Sequence, residues 1–114
     1  MKLYSFPRCS TCRKAIAWLG AHQLAVELLD ITEHPPSLGE LEQGLMQLGR
    51  QRLFNTSGLS YRALGATAIK AMDDSQALAA LAADGKLIKR PFLITASGRI
   101  LTGFKELEWQ QLLA

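Results

Sequence analysis

The sequence predicts one α/β domain, residues 1–114, built on a mixed four-stranded sheet with a helical insert at about 36–86. Two observations carry this. Short apolar, strand-like runs gather at the two ends of the chain, at 2–6, 25–30, 92–95 and 99–102, while helical periodicity fills the middle. The two pairs of runs are also joined differently. The first pair is connected through a helix, which makes parallel neighbours by a right-handed crossover. The second is connected by Ser97-Gly98, a hairpin turn, which makes antiparallel ones.

The elements follow in order. Lys2-Leu3-Tyr4-Ser5-Phe6 reads as a strand and Pro7-Arg8 as a turn. A helix is predicted over about 10–22, with Ile16, Trp18 and Leu19 on its apolar side and Gly20 and His22 near its end. Ala25 to Asp30 is mostly apolar, so this second strand is predicted to be central. Pro35-Pro36-Ser37 starts a helix, with Ser37 and Glu40 spaced as a capping box. It runs to about Gly49, with Leu38, Leu41, Leu45 and Leu48 as the core stripe. Residues 50–60 read as irregular, with a turn at Asn55-Thr56-Ser57-Gly58. Short helices are predicted at 61–64 and 67–72, then one at 76–83 capped by Asp74 or Ser75 and ended by Asp84-Gly85. After the hairpin, Gly103 opens a last helix at about 105–113, packed through Leu107, Trp109, Leu112 and Leu113.

Composition narrows the function. At 114 residues the chain can bury a proper core. No apolar run approaches the roughly 18 residues that a membrane span needs. A net charge of +3 suits an oxyanion or acidic partner but falls short of a nucleic-acid footprint. The N-terminus enters a strand directly, with no signal-peptide pattern, so the expected location is cytoplasmic. Zinc needs about four ligands, and only His22 and His34 could join the cysteines. Their spacing fits no common finger, so no metal is expected.

Both cysteines, Cys9 and Cys12, lie where the first strand hands over to the first helix. Two inert core cysteines are the competing reading, since free cysteine is often simply buried. The strand-to-helix position favours a thioredoxin-like redox site instead. A thiol there faces unpaired backbone N–H groups and the positive end of the macrodipole, both of which favour thiolate. Cys9 is then the exposed nucleophile and Cys12, one turn in, the buried partner that resolves a mixed disulfide. Arg8, Arg13 and Lys14 add positive charge, and Ser10 and Thr11 can donate hydrogen bonds. Pro91 precedes a core strand, a position where proline is tolerated. At about 5–6% cis for X-Pro bonds, the base rate favours trans.

Four stretches together resemble the arsenate reductase/Spx/MgsR (ArsC-like) family, a thioredoxin-fold group. They are Cys9-Ser10-Thr11-Cys12-Arg13-Lys14-Ala15, Phe54 to Arg62, Lys89-Arg90-Pro91-Phe92-Leu93-Ile94 and Gly103-Phe104-Lys105-Glu106. The resemblance implies a thioredoxin-like (glutaredoxin-like) fold, with Pro91 cis and facing the cysteine turn. It implies a thiol-disulfide oxidoreductase related to glutaredoxin-linked arsenate reductases. Cys9 would attack, Cys12 resolve, and Arg90 hold an oxyanion or the carboxylate of glutathione; Pro91, Ser10, Thr11 and Arg13 complete the substrate site. No bound cofactor is implied; glutathione, glutaredoxin or thioredoxin would supply electrons. A further arginine of those reductases, beside the last strand, corresponds to Gly103 here. Their arginine in the insert has Arg50, Arg52 and Arg62 as candidates. The Spx branch implies another function: a redox-sensing regulator that binds RNA polymerase, with Cys9 and Cys12 as its switch. Neither branch implies direct nucleic-acid or membrane binding.

Overall fold

The structure is a computed structural model, and it describes residues 1–113. Four strands form one sheet in the order β2-β1-β3-β4. They are β1 (Lys2–Ser5), β2 (Glu27–Asp30), β3 (Phe92–Ile94) and β4 (Ile100–Thr102). β1 runs parallel to β2 and antiparallel to β3, and β3 runs antiparallel to β4. Helix α1 (Ser10–Ala21) makes the β1–β2 crossover, and α6 (Glu106–Leu113) follows β4. Between β2 and β3 lie α2 (Leu38–Leu48), α3 (Leu59–Leu64), α4 (Ala66–Ala71) and α5 (Asp74–Ala83), with 3-10 turns at Arg50–Arg52 and Gly85–Leu87. This is the expected thioredoxin-like sheet with its helical insert.

The pleat divides the core. Leu3, Leu93 and Leu101 stand in register across the three strands and meet Ala15, Trp18 and Leu19 of α1 and Trp109 of α6. Tyr4, Phe92 and Ile100, one residue along each strand, face the other way. They pack on Leu41 of α2, Leu53, Phe54 and the buried side of α5. Alternation with period two thus assigns α1 and α6 to one face and the insert to the other.

Four expectations need correction. β2 is an edge strand, because β3 occupies the other side of β1; Leu28 is 52% exposed. The cap of α5 is Asp73, which has extended backbone and accepts from the Gln76 N–H at 2.7 Å, with Gln76 returning the bond in a capping box. Leu38 lies outside the stripe of α2, where Leu41 is buried. In α6 only Trp109, with Leu113 four residues on, meets the sheet; Leu107 and Leu112 lie off that line and are exposed. The capping box of Ser37 and Glu40 is present as expected.

The outer edge of β4 is occupied by side chains of the insert. The Gln47 amide donates to Gly98 O at 3.0 Å and accepts from Ile100 N–H at 2.8 Å. Arg52 donates to Thr102 O at 3.2 Å and grips Glu108 of α6. These bonds clamp the insert to the sheet, and with it the segment that leads into β3.

Candidate active site

β1 ends at Ser5, and the chain turns through Phe6-Pro7-Arg8, closed by the Cys9 N–H donating to Phe6 O at 3.0 Å. Cys9 is the N-cap of α1. Its backbone is extended (φ −87°, ψ 113°), and its Sγ accepts from the Cys12 N–H at 3.3 Å. A sulfur thus fills the place of the usual capping oxygen, aimed at one of the four orphan donors of the helix start. Cys12 sits one turn in and is fully buried, while Cys9 is half-buried. Both are free thiols.

Arg90 comes to the cysteine turn from the segment that leads into β3. The Arg90-Pro91 peptide is cis, and Pro91 is buried immediately before β3, which lies beside β1. The guanidinium stands over the Phe6 ring, its Cζ 5.0 Å from the centroid. Sequence reasoning placed Phe6 only as the end of a strand. Its role as a platform was hinted at only by an aromatic residue just before the cysteine turn.

The two thiols are pushed in opposite directions. Burial is the largest influence on Cys9 and opposes ionisation. Hydrogen bonds from the Cys12 thiol and backbone, then the hydrogen bond and charge of Arg90, together outweigh it and hold Cys9 below its ordinary value. Burial pushes the Cys12 thiol up to about 12, with the neighbouring Cys9 sulfur adding to it. The pair is therefore one activated sulfur and one that stays protonated, which is the division between attacking and resolving thiols.

The remaining candidates are distributed unevenly. Ser10 and Arg13 are exposed and Thr11 is half-buried, and none makes a side-chain hydrogen bond among the described residues. Arg13 lines a cleft with Phe6, Ile16, Leu28 and Asp30, on the flank facing β2. Arg50 is engaged by Ile69 O at 2.6 Å and Asp74 at 3.5 Å, and Arg52 by Glu108 and Thr102 O. Arg62 is exposed on α3. His22 caps the C-terminus of α1, its Nδ1 donating to Trp18 O at 2.9 Å and its ring stacked on Trp18. Among the described residues no three His, Cys, Asp or Glu side chains group as a metal site, and no helix is long and apolar enough to cross a membrane.

With this geometry in view, likeness to known proteins is informative. YusI of Bacillus subtilis is 39% identical over 114 residues, covering 97% of this chain and 96% of its own. The global transcriptional regulator Spx of Lactiplantibacillus plantarum is 26% identical, over 97% of this chain and 84% of its own. A solved structure from Streptococcus mutans, described as "a possible arsenate reductase", superposes with a TM-score of 0.83 at 38% identity, covering 91% of this chain and 90% of that one. The ArsC family model matches residues 4–112, and the chain belongs to the ArsC family.

Proposed function

We propose that this protein is a cytoplasmic thiol-disulfide oxidoreductase with Cys9 as its nucleophile. The observation that carries the reading is the asymmetric pair: Cys9 caps α1 beside Arg90 and is held toward thiolate, while Cys12 is buried and held toward thiol. The Cys9 thiolate attacks one sulfur of a disulfide substrate. A Cys9–substrate disulfide forms, the substrate S–S bond breaks, and the leaving thiolate takes the electron pair and a proton from water. Cys12 then attacks Cys9, giving up its proton, and releases the second substrate thiol. The oxidised pair is returned to dithiol by glutathione, glutaredoxin or thioredoxin. Arg90 steadies the thiolate and an anionic group on the substrate. No metal or organic cofactor takes part. A reducing cytoplasm suits a chain whose only two cysteines form a working dithiol.

A second reading rests on the likeness to proteins named Spx, which are transcriptional regulators. In it, the same cysteine pair switches binding to RNA polymerase. One experiment separates the two. Turnover of small disulfides and of arsenate is measured with glutathione/glutaredoxin or with thioredoxin, beside an RNA polymerase pull-down under reducing and oxidising conditions. Turnover that is abolished by Cys9→Ser is the expected result. Redox-dependent capture of polymerase without turnover would overturn the enzyme in favour of the regulator.

A further inference from the structure

The two edges of the sheet are finished differently. Gln47 and Arg52 cover the outer edge of β4 with side-chain hydrogen bonds. β2, the other edge, has no such cover among the described residues. In its parallel ladder with β1, the Glu27 N–H donates to Met1 O at 2.8 Å and the Ile31 N–H to Ser5 O at 2.9 Å. Main-chain groups alternate along a strand, so Glu27, Leu29 and Ile31 face β1, and the N–H and C=O of Leu28 face outward. The Asp30 N–H and the Val26 C=O face outward too, whereas Asp30 O is already taken by the N–H groups of Glu33 and His34. Neither lysine nor proline blunts this edge.

The side chains add a second demand. Leu28 stands opposite Leu3, on the face that carries α1, and is half-exposed. Beside it a mainly apolar cleft of about 320 Å³ runs between β2 and α1, lined by Leu28, Ile16, Phe6, Pro7, Arg13 and Asp30. An open N–H and C=O pair calls for another strand, and the cleft calls for an apolar side chain on it. β2 meets both demands itself. With a second β2 set antiparallel about a two-fold axis at Leu28, the two Leu28 residues exchange both main-chain bonds, and each Asp30 N–H meets Val26 O of the other copy. Opposed residues share a face, so each Leu28 side chain covers the other on the cleft side. Glu27 falls opposite Leu29 and Asp30 opposite Val26, so no like charges meet. An axis at Leu29 would aim the Leu28 N–H at the occupied Asp30 O, and an axis at Asp30 would set two aspartates face to face. The two α1 helices run antiparallel across the axis. Each lacks a basic side chain in its last turn, so Arg13 of one copy is brought toward the carbonyl end of the other.

We propose that β2 is an interface for a second copy of this chain, joined two-fold at Leu28 so that the two sheets become one. The interface is independent of the cysteine chemistry. The β1 strands of the two copies run in opposite directions, so the cysteine turns lie at opposite ends of the joined sheet, away from the axis. Val26 of the other copy, opposite Asp30, closes the end of the cleft that Pro7 and Arg13 line. A stable interface buries roughly 1,200–2,000 Å². Two four-residue strands and two helix flanks fall at the low end of that range or below it, so the dimer forms reversibly and at high concentration.

Sedimentation equilibrium from about 10 µM to about 1 mM should show the mass rising from that of one chain toward that of two. Leu28→Glu sets two carboxylates on the axis and should weaken association about tenfold or more, while Leu28→Met should retain it. Leu107→Glu makes the same change at an exposed leucine of α6 and should leave association as in wild type. Cross-linking reads the register without depending on how Leu28→Glu folds. In a Cys9→Ser, Cys12→Ser background, Leu28→Cys should oxidise to a disulfide-linked dimer, because opposed hydrogen-bonded residues lie about 5.5 Å apart at Cα, within bridging range. Glu27→Cys should not, because residue 27 faces Leu29 and its two copies lie beyond about 7 Å. A wild type that stays monomeric at about 1 mM overturns the proposal. Association that Leu28→Glu and Leu107→Glu weaken equally, or equal cross-linking at residues 27 and 28, overturns it as well.

Discussion

Replacing Arg90 with methionine removes the guanidinium beside Cys9 and leaves a side chain of similar length against Phe6. Three influences act on the Cys9 sulfur: burial against ionisation, hydrogen bonds from Cys12 for it, and the hydrogen bond and charge of Arg90 for it. Without Arg90, burial meets only the Cys12 bonds. A hydrogen bond to a charged group contributes about 1.5–3 kcal/mol. Cys9 is only half-buried, so the lower end applies, about tenfold in the ratio of thiolate to thiol. A more basic thiolate is also a better nucleophile, and a Brønsted slope near 0.4–0.5 returns about threefold. The net expectation is a crossover. Arg90→Met should alkylate Cys9 about threefold more slowly than wild type on the acid side of the wild-type midpoint, and about threefold faster at alkaline pH where both are ionised. The assay is iodoacetamide modification of Cys9 followed by mass spectrometry across pH. Profiles that stay parallel, with the variant slower by one factor throughout, would refute the electrostatic role of Arg90 and leave it a packing residue.

The other predictions concern the second thiol and the frame that holds the site. Cys12→Ser, treated with oxidised glutathione, should accumulate a glutathione adduct on Cys9, whereas wild type should lose two hydrogens as the pair closes; a stable adduct on wild type with Cys12 still free would rule out the dithiol route. Gly85→Ala should destabilise by about 2–3 kcal/mol in chemical denaturation, because a Cβ there would stand 1.8 Å from Ile31 O and backbone must move; a loss within about 0.5 kcal/mol would contradict the close approach. Arg52→Ala should cost about 1–2 kcal/mol at neutral pH by freeing Glu108 and Thr102 O. The Glu108 carboxyl is held below its ordinary value of 4.5, chiefly by the hydrogen bond to Arg52. A lowered folded value means this stabilisation is present at neutral pH and lost as pH falls through that value. The gap between variant and wild type should therefore close in acid, and a gap independent of pH would exclude the ion pair as its source.

The sequence revealed most where local patterning and tertiary demand agree. Ser37 and Glu40 announce a capping box, and the cysteines announce a helix start, because capping is decided within a few residues. The same locality explains the errors. Ala25 to Asp30 is mostly apolar and so read as a central strand, yet β2 is an edge. Strand order depends on which partner claims the far side of β1, and β3 begins at Phe92, beyond the whole insert. Leu107 and Leu112 look like core, but Trp109 determines which side of α6 meets the sheet. At the site, Cys9, Cys12 and Arg90 were legible because thiol and guanidinium chemistry is specific. Arg13 was proposed on nearness along the chain; it is exposed on α1 and lines a cleft with Phe6 and residues of β2.

Within the ArsC family, the arginines weigh on whether the substrate is arsenate or a disulfide. A tetrahedral oxyanion is held best by several guanidinium forks converging on one point. Here Arg50 is held by Ile69 O and Asp74, and Arg52 by Glu108 and Thr102 O, so neither fork is open without breaking a bond that secures the insert. At the position beside the last strand stands Gly103, whose φ is +67°; a Cβ there would lie 3.1 Å from Lys89 Cε. An arginine at 103 would meet backbone strain as well as that lysine. Arg62, the remaining candidate of the insert, is exposed on α3, and Arg90 is the arginine that holds Cys9 toward thiolate. A single guanidinium is enough to favour a thiolate and to attract one carboxylate, but it offers one fork to a dianion that would use more. Disulfide exchange makes the smaller demand: its transition state spreads negative charge along three sulfurs in line, and no oxyanion has to be gripped. A cation at one end of that line, a helix N-terminus behind it and a protonated second thiol one turn away meet that demand with the residues this site has.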